Sequence, residues 1–289
     1  MNRTKPLIGI LPSPYIKYSV AQKQFVSNEI FLKADIITFL KQNLVDYIII
    51  PFTITKVDLN KILSKLDGLL FPGSQLGNYY NNKFIKQHFL TQKYIVKKVK
   101  LLAKNNILIP ILSICHGYEN MILIEKKYKL TNKNIKKTFI NVNSDNNETI
   151  PNFMNTKMGN LFRSKFTKTK KLYHSHKLAV DSKNEIINYE VIATSLDKNR
   201  KEFVDIVKHK KYLFFGFQGH PEVDNTKLFA PFISNVTNIF YKKNSNQKII
   251  NEEIYNKLNL LKLRCRKISC KKYKSAMRKH KECNIFYKL

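Results

Sequence analysis

Through its first 243 residues the chain alternates short apolar runs with longer segments whose apolar residues recur at helical spacing, and few folds satisfy that pattern. Residues 7–11, 47–50, 68–71 and 108–114 read as buried strands. Between them Ile30, Ala34 and Ile37 fall on one helical face, as do Leu59, Ile62, Leu63 and Leu66, and then Ile85, Phe89, Val96 and Val99. Asp58 stands where an N-cap is expected. The alternation predicts an α/β domain with a mostly parallel central sheet and crossover helices. Residues 131–171 are polar and Asn-rich and are expected to loop over the sheet edge. The runs at 189–193, 203–207 and 213–217 lie close enough together for antiparallel or mixed strands.

At 289 residues and 43% hydrophobic composition the chain buries a sizeable core, which excludes wholesale disorder. Its formal net charge of +32 makes polyanions plausible partners. Only six of the 52 basic residues are Arg, however, and the chain is rich in Asn and Ile, so much of the excess reads as compositional drift on a solvated surface. The local excess is C-terminal: residues 262–281 hold ten cations and no acid. We therefore divide the chain into a domain at 1–243 and a basic extension at 244–289. In the extension Ile250, Ile254, Leu258 and Leu261 predict an amphipathic helix, and residues 262–281 are candidates for contact with nucleic acid or an acidic surface.

Cys115 stands alone and Cys265, Cys270 and Cys283 lie in the tail, unlike the dense pairing of a small secreted scaffold. With His280 the tail cysteines lack the tight CxxC pair of a zinc site, so no metal is expected. The apolar run at 7–11 is too short for a signal-peptide core. Pro110 and Ser113 interrupt the longest run, at 107–114, which cannot span a bilayer. These features predict an intracellular, cytoplasmic protein without a transmembrane segment.

Four separated segments carry chemistry. Ser113-Ile114-Cys115-His116-Gly117 ends a buried strand directly before a helix-like segment. A thiol on such a turn is held above the sheet edge, and the helix N-terminus favours its ionised form. Gly216-Phe217-Gln218-Gly219-His220-Pro221-Glu222 ends another strand with an imidazole and a carboxylate, the base and orienting acid that a thiol nucleophile needs. Leu66 to Ser74 ends in a Pro-Gly turn whose free N–H groups suit an oxyanion. Tyr173-His174-Ser175-His176 offers further imidazoles.

Together with Lys5-Pro6-Leu7-Ile8-Gly9-Ile10, these segments resemble the class I glutamine amidotransferase-like superfamily, and most closely the gamma-glutamyl hydrolases of peptidase family C26. The resemblance covers residues 5–240. It implies a flavodoxin-like three-layer sandwich that needs no cofactor and hydrolyses a small gamma-glutamyl substrate, such as folylpoly-gamma-glutamate, through a thioester. It implies Cys115 as nucleophile, His220 as acid/base and Glu222 as its orienting carboxylate. The N–H groups of Gly73 and His116 would form the oxyanion hole, and His174, Glu119 and Ser74 would bind substrate. Glu119 stands where ammonia-donating amidotransferases carry Gln. The sequence departs from the pattern at Ser113 and Ser74, where Gly is usual, at Gly219, where an aromatic is usual, and at His176, where the hydrolases tend to have Trp. Gly219 is expected to open space beside His220. A homodimer is also left open, as are two other functions: a catalytically weakened polyanion-binding protein, and the glutaminase component of an amidotransferase.

Overall fold

A computed structural model describes residues 3–19, 24–74, 82–166, 171–184, 186–245, 265–266 and 284–288. In chain order the first half comprises β1 (Leu7–Ile10), β2 (Ser13–Ser19), β3 (Gln24–Lys33), α1 (Ala34–Gln42), β4 (Asp46–Ile49), α2 (Lys56–Leu63), β5 (Gly68–Phe71), α3 (Lys83–Lys104), β6 (Ile111–Ile114) and α4 (His116–Glu125). There follow α5 (Asn132–Thr138), β7 (Ile140–Asn141), β8 (Asn147–Thr149), β9 (Asn152–Phe153), α6 (Lys157–Lys165), β10 (Leu172–His174), β11 (Leu178–Asp181), β12 (Tyr189–Leu196), β13 (Glu202–His209) and β14 (Phe214–Phe217). The last elements are α7 (Pro221–Asp224), a 3-10 turn (Thr226–Phe229), α8 (Ala230–Ser245), β15 (Cys265–Arg266) and β16 (Asn284–Lys288).

The protein is α/β with a mixed, mostly parallel central sheet. Its strands run β4-β1-β5-β6-β14-β13-β11-β7, and the first five are mutually parallel. From β14 outward the pairing turns antiparallel, through β13 to β11, β12 and β9. Side chains alternate across the sheet as strand geometry requires. Leu7, Leu69 and Ile111 join one core with α2, α3 and α4, whereas Ile8, Ile10, Leu70, Leu112 and Ile114 join another with α1, α6 and α8. Helices thus cover both faces. Asp67, fully buried, ties the ends of this unit together: it accepts from the Leu7 N–H (2.9 Å) and Arg3 Nη1 (2.7 Å) and lies 3.3 Å from Lys243 Nζ.

The structure corrects several expectations. Ile30 belongs to β3, and only Ala34 onward is helical. The cap of α2 is Thr55, whose hydroxyl accepts from the Asp58 N–H (3.1 Å) while Asp58 occupies the first turn. Residues 131–171 are not simply loops: Thr131 and Thr156 cap α5 and α6, and three short strands lie between. Two further sheets, the pair β10-β8 and the four-stranded β15-β16-β3-β2, were not expected. The described pieces of the tail, 265–266 and 284–288, are strands, and β16 pairs antiparallel with β3. The expected helix from Ile250 and most of the basic stretch at 262–281 lie outside the described residues.

Burial also sets how the fold responds to acid. His88, His174 and His176 are buried, and that burial, with neighbouring histidines adding to it, holds each at a pKa of about 3. Unfolded, each takes its proton near 6.5. Between those values the unfolded chain binds more protons, so stability is full above pH 6.5 and is lost as pH falls. Asp205, which burial raises to about 6, works the other way below that pH and cancels one of the three. Denaturant unfolding is expected to show stability falling by on the order of 3 kcal/mol per pH unit between about pH 6 and 4.5. His88→Asn reduces that slope by about 1.4 kcal/mol per pH unit. A slope identical in both proteins would mean that His88 takes its proton in the folded state.

Candidate active site

The site is built where the parallel strands β5, β6 and β14 end side by side. Cys115 follows β6 directly and precedes α4, with φ 49° and ψ −115°. Its N–H donates to the Phe217 carbonyl (2.6 Å) and its carbonyl accepts from the Glu119 N–H (2.9 Å), so the turn is fastened to β14 on one side and to α4 on the other. Gly117 is required here, because a Cβ would lie 2.2 Å from the Phe71 carbonyl oxygen. Gly216 is likewise filled against, since a Cβ there would meet the Tyr118 ring at 2.4 Å. Ser113, in place of the usual Gly, is accommodated in β6 by donating from Oγ to the Phe215 carbonyl (2.9 Å).

β14 delivers the second half of the site. His220 Nδ1 lies 2.7 Å from Glu222 Oε1, and both side chains are buried. Burial raises the Glu222 carboxyl, but the charge and hydrogen bond of His220, followed by Lys33, outweigh it and hold the group below its ordinary value. An ionised Glu222 at this distance fixes the proton on Nδ1 and leaves Nε2 as the acceptor. Gly73, after β5, fits between the two halves: a Cβ there would be 2.9 Å from His220 Cε1 and 3.1 Å from Cys115 Cβ. Ser74 follows it, half-buried, at the edge of the described residues.

Cys115 is 4% exposed. Burial pushes its thiol well above the ordinary value and Glu119 adds to this, while Lys33 opposes it, Glu222 adds a little more, and the His116 N–H, which donates to the sulfur, works against it. The resting group is therefore a thiol that must give up its proton as it reacts. Glu119, on the first turn of α4, accepts from Gln218 Nε2 (3.1 Å) and faces His116 Nδ1 at 3.6 Å. His116 is further held by Asn120 (3.3 Å) and by a ring stack with His88.

His174 stands behind His220. Its Nε2 lies 2.9 Å from the Thr149 hydroxyl and its Nδ1 lies 3.1 Å from His176 Nε2, while His176 Nδ1 reaches the Leu178 carbonyl (3.0 Å). That carbonyl can only accept, so the proton of a neutral His176 sits on Nδ1. Gly219 opens no space beside His220, contrary to the sequence expectation, because a Cβ there would lie 2.8 Å from both Leu172 and His174. Asp205 pins the same stretch, accepting from the Gly219 N–H (3.0 Å) and from Ser195 Oγ (2.5 Å). The structure thus gathers Gly73, Cys115, His116, Glu119, His220 and Glu222, with His174 one layer behind.

Sequence reading missed three contributors. Gln218 lies beside His220 in the sequence but its residue type announces no role; Asp205 sits mid-strand with no local signal. Lys33 lies 3.5 Å from His220 Nδ1 and 3.8 Å from Glu222 Oε1, and only its burial distinguishes it from the many other lysines.

Residues 6–222 match the family Peptidase C26. Over 234 residues the chain is 25% identical to gamma-glutamyl hydrolase 1 of Arabidopsis thaliana, covering 75% of this chain and 63% of that protein. It is 22% identical over 235 residues to gamma-glutamyl hydrolase B of Dictyostelium discoideum, covering 77% and 63%. The match thus spans less than two thirds of the length of either relative. Among solved structures, a Thermoplasma acidophilum protein proposed to be one component of GMP synthase is similar with a TM-score of 0.53 at 15% identity, covering 85% of this chain and all of that one, which is a likeness of fold. Most of the chain, including every segment that builds the turn at Cys115 and the His220–Glu222 pair, falls within one family: this protein belongs to Peptidase C26, has the class I glutamine amidotransferase-like fold, and is a distant homologue of the gamma-glutamyl hydrolases.

Proposed function

We propose that the protein is a cysteine-dependent hydrolase of gamma-glutamyl bonds, acting on folylpoly-gamma-glutamate or smaller gamma-glutamyl amides inside the cell. The observation that carries this reading is the position of Gly73, where a Cβ would lie 3.1 Å from Cys115 Cβ and 2.9 Å from His220 Cε1, with Glu222 in turn 2.7 Å from His220 Nδ1. The parallel strand order, with helices on both faces, is read as the flavodoxin-like three-layer sandwich, whose sites lie beyond the carboxyl ends of the strands.

In this mechanism His220 Nε2 takes the Cys115 proton as the sulfur attacks the gamma-carbonyl carbon. The oxyanion rests against the N–H groups of His116, already directed at the sulfur, and Gly73. His220 returns the proton to the leaving nitrogen, the C–N bond breaks, and a gamma-glutamyl thioester remains. Water then gives its proton to His220 and attacks the thioester, releasing the glutamyl carboxylate and restoring the thiol. Glu222 keeps the imidazole in the required tautomer throughout. His174, His176 and Asp205 hold the segment on which His220 sits, and Glu119 with Gln218 borders the substrate space beside Cys115.

The test is release of glutamate from a folyl polyglutamate, gamma-glutamyl dipeptides and glutamine. Wild type is expected to prefer the gamma-glutamyl peptides, and Cys115→Ala to lose at least about 10³-fold in kcat. Equal turnover by the two proteins overturns the assignment, and turnover of glutamine alone favours the glutaminase reading. Gly73→Ala probes that position. Its methyl group displaces His220 relative to Cys115, so kcat is expected to fall by about 10²-fold with thermal unfolding little changed. Full activity in that variant would remove Gly73 from the reacting centre.

A further inference from the structure

Lys33 occupies a position that breaks local rules. It is the N-cap of α1, with φ −68° and ψ 136°, yet no side chain caps that helix, although Ser, Thr, Asp or Asn at this position would contribute about 1 kcal/mol. Its side chain is only 10% exposed, which disfavours an ammonium. What surrounds the ammonium accounts for its presence. Nζ is 3.8 Å from Glu222 Oε1, 3.5 Å from His220 Nδ1 and 5.8 Å from the centre of the Tyr173 ring. Because Nδ1 carries the proton shared with Glu222, the Lys33–Nδ1 contact is one of charge and not a hydrogen bond.

We propose that Lys33 is a positioning residue of this centre, a buried cation that shares the Glu222 carboxylate with His220 and offsets the acidic groups beside Cys115. It acts through Glu222 on α7, through His220 just ahead of that helix, and on Cys115 ahead of α4. Tyr173 on β10 supplies the ring face, and Glu119 on α4 is the other acidic group facing the sulfur. Glu119 and Glu222 both disfavour the thiolate, and Lys33 is the side-chain cation that offsets them. Without it the His116 N–H would be left to offset two carboxylates at the sulfur. Locally broken rules with a compensating electrostatic gain are expected at functional centres. The inference rests on the hydrolase reading for its purpose, but its electrostatic content does not depend on the substrate.

The test accordingly uses a reagent and not a substrate. The rate of alkylation of Cys115 by iodoacetamide, followed as the modified Cys115 peptide by mass spectrometry, is measured against pH for wild type, Lys33→Met, Lys33→Gln and Lys33→Arg. Folding is checked by circular dichroism. Removing the cation 3.8 Å from Glu222 leaves that carboxylate's charge unopposed beside the Cys115–His220 centre, and is expected to move the midpoint of the profile to higher pH by about one unit in the Met and Gln variants. Lys33→Arg, which keeps the charge, is expected to restore the wild-type midpoint. An unshifted midpoint in either folded neutral variant overturns the proposal, as does a shift of the same size in Lys33→Arg, which would mark a packing effect. If the midpoint shifts but no gamma-glutamyl compound is hydrolysed, the role of Lys33 stands and the proposed function falls.

Discussion

Cys115 holds a backbone conformation, φ 49° and ψ −115°, that costs a non-glycine residue on the order of 1–3 kcal/mol, and its neighbours over-determine it. The Phe217 carbonyl takes its N–H, α4 begins from its carbonyl, and Gly117 lets the helix start pass against the Phe71 carbonyl. Each of these partners belongs to a parallel strand beside β6 or to the helix after it. The register of β5, β6 and β14 therefore decides whether the sulfur can stand above the sheet. The same register brings Gly73 and His220 to it, because both follow directly from those neighbouring strands. One strained residue and three strand ends form a single mechanical unit.

Charge is organised differently inside this unit from outside it. The chain as a whole carries +32, yet around the sulfur two carboxylates face one ammonium, and one layer behind burial keeps the imidazoles of His174 and His176 neutral. Burial supplies the leverage, since a charge in a dry site acts far more strongly than one on a solvated face. The surface excess and the internal arrangement thus have separate explanations. The first follows from composition, and the second from the placement of Glu119, Glu222 and Lys33.

Much of the fold and of the candidate site is legible in the sequence because the signals are local. A buried parallel strand is a short apolar run, and a nucleophile turn or a His-Pro-Glu stretch at its end is written in consecutive residues. What escaped reading depends on distant partners. Ile30, Phe31 and Leu32 are all buried, a run that flows into the helical period at Ala34 and Ile37 and hides the strand-to-helix junction at Lys33. Both Thr55 and Asp58 are cap-forming residue types, and only geometry shows that the hydroxyl accepts while the acid sits in the first turn. Gly219 reads as empty space until Leu172 and His174, from another part of the chain, are found filling it. Lys33 is one lysine in a lysine-rich chain, and nothing in its neighbours announces that it is buried.

The pairing of β16 with β3 joins opposite ends of the sequence, from Asn284 opposite Lys33 to Lys288 opposite Glu29. A ribosome releases β3 early and β16 only after the intervening chain has been made. During that interval β3 can bond to β2 on one side, while its other edge presents unpaired N–H and C=O groups, the condition under which strands recruit wrong partners. Contacts between segments so far apart form slowly, because a long loop must close before they contribute anything. The arrival of residues 284–288 is therefore the step that seals the exposed edge of a nascent sheet, and the strand it seals is the one that ends at Lys33.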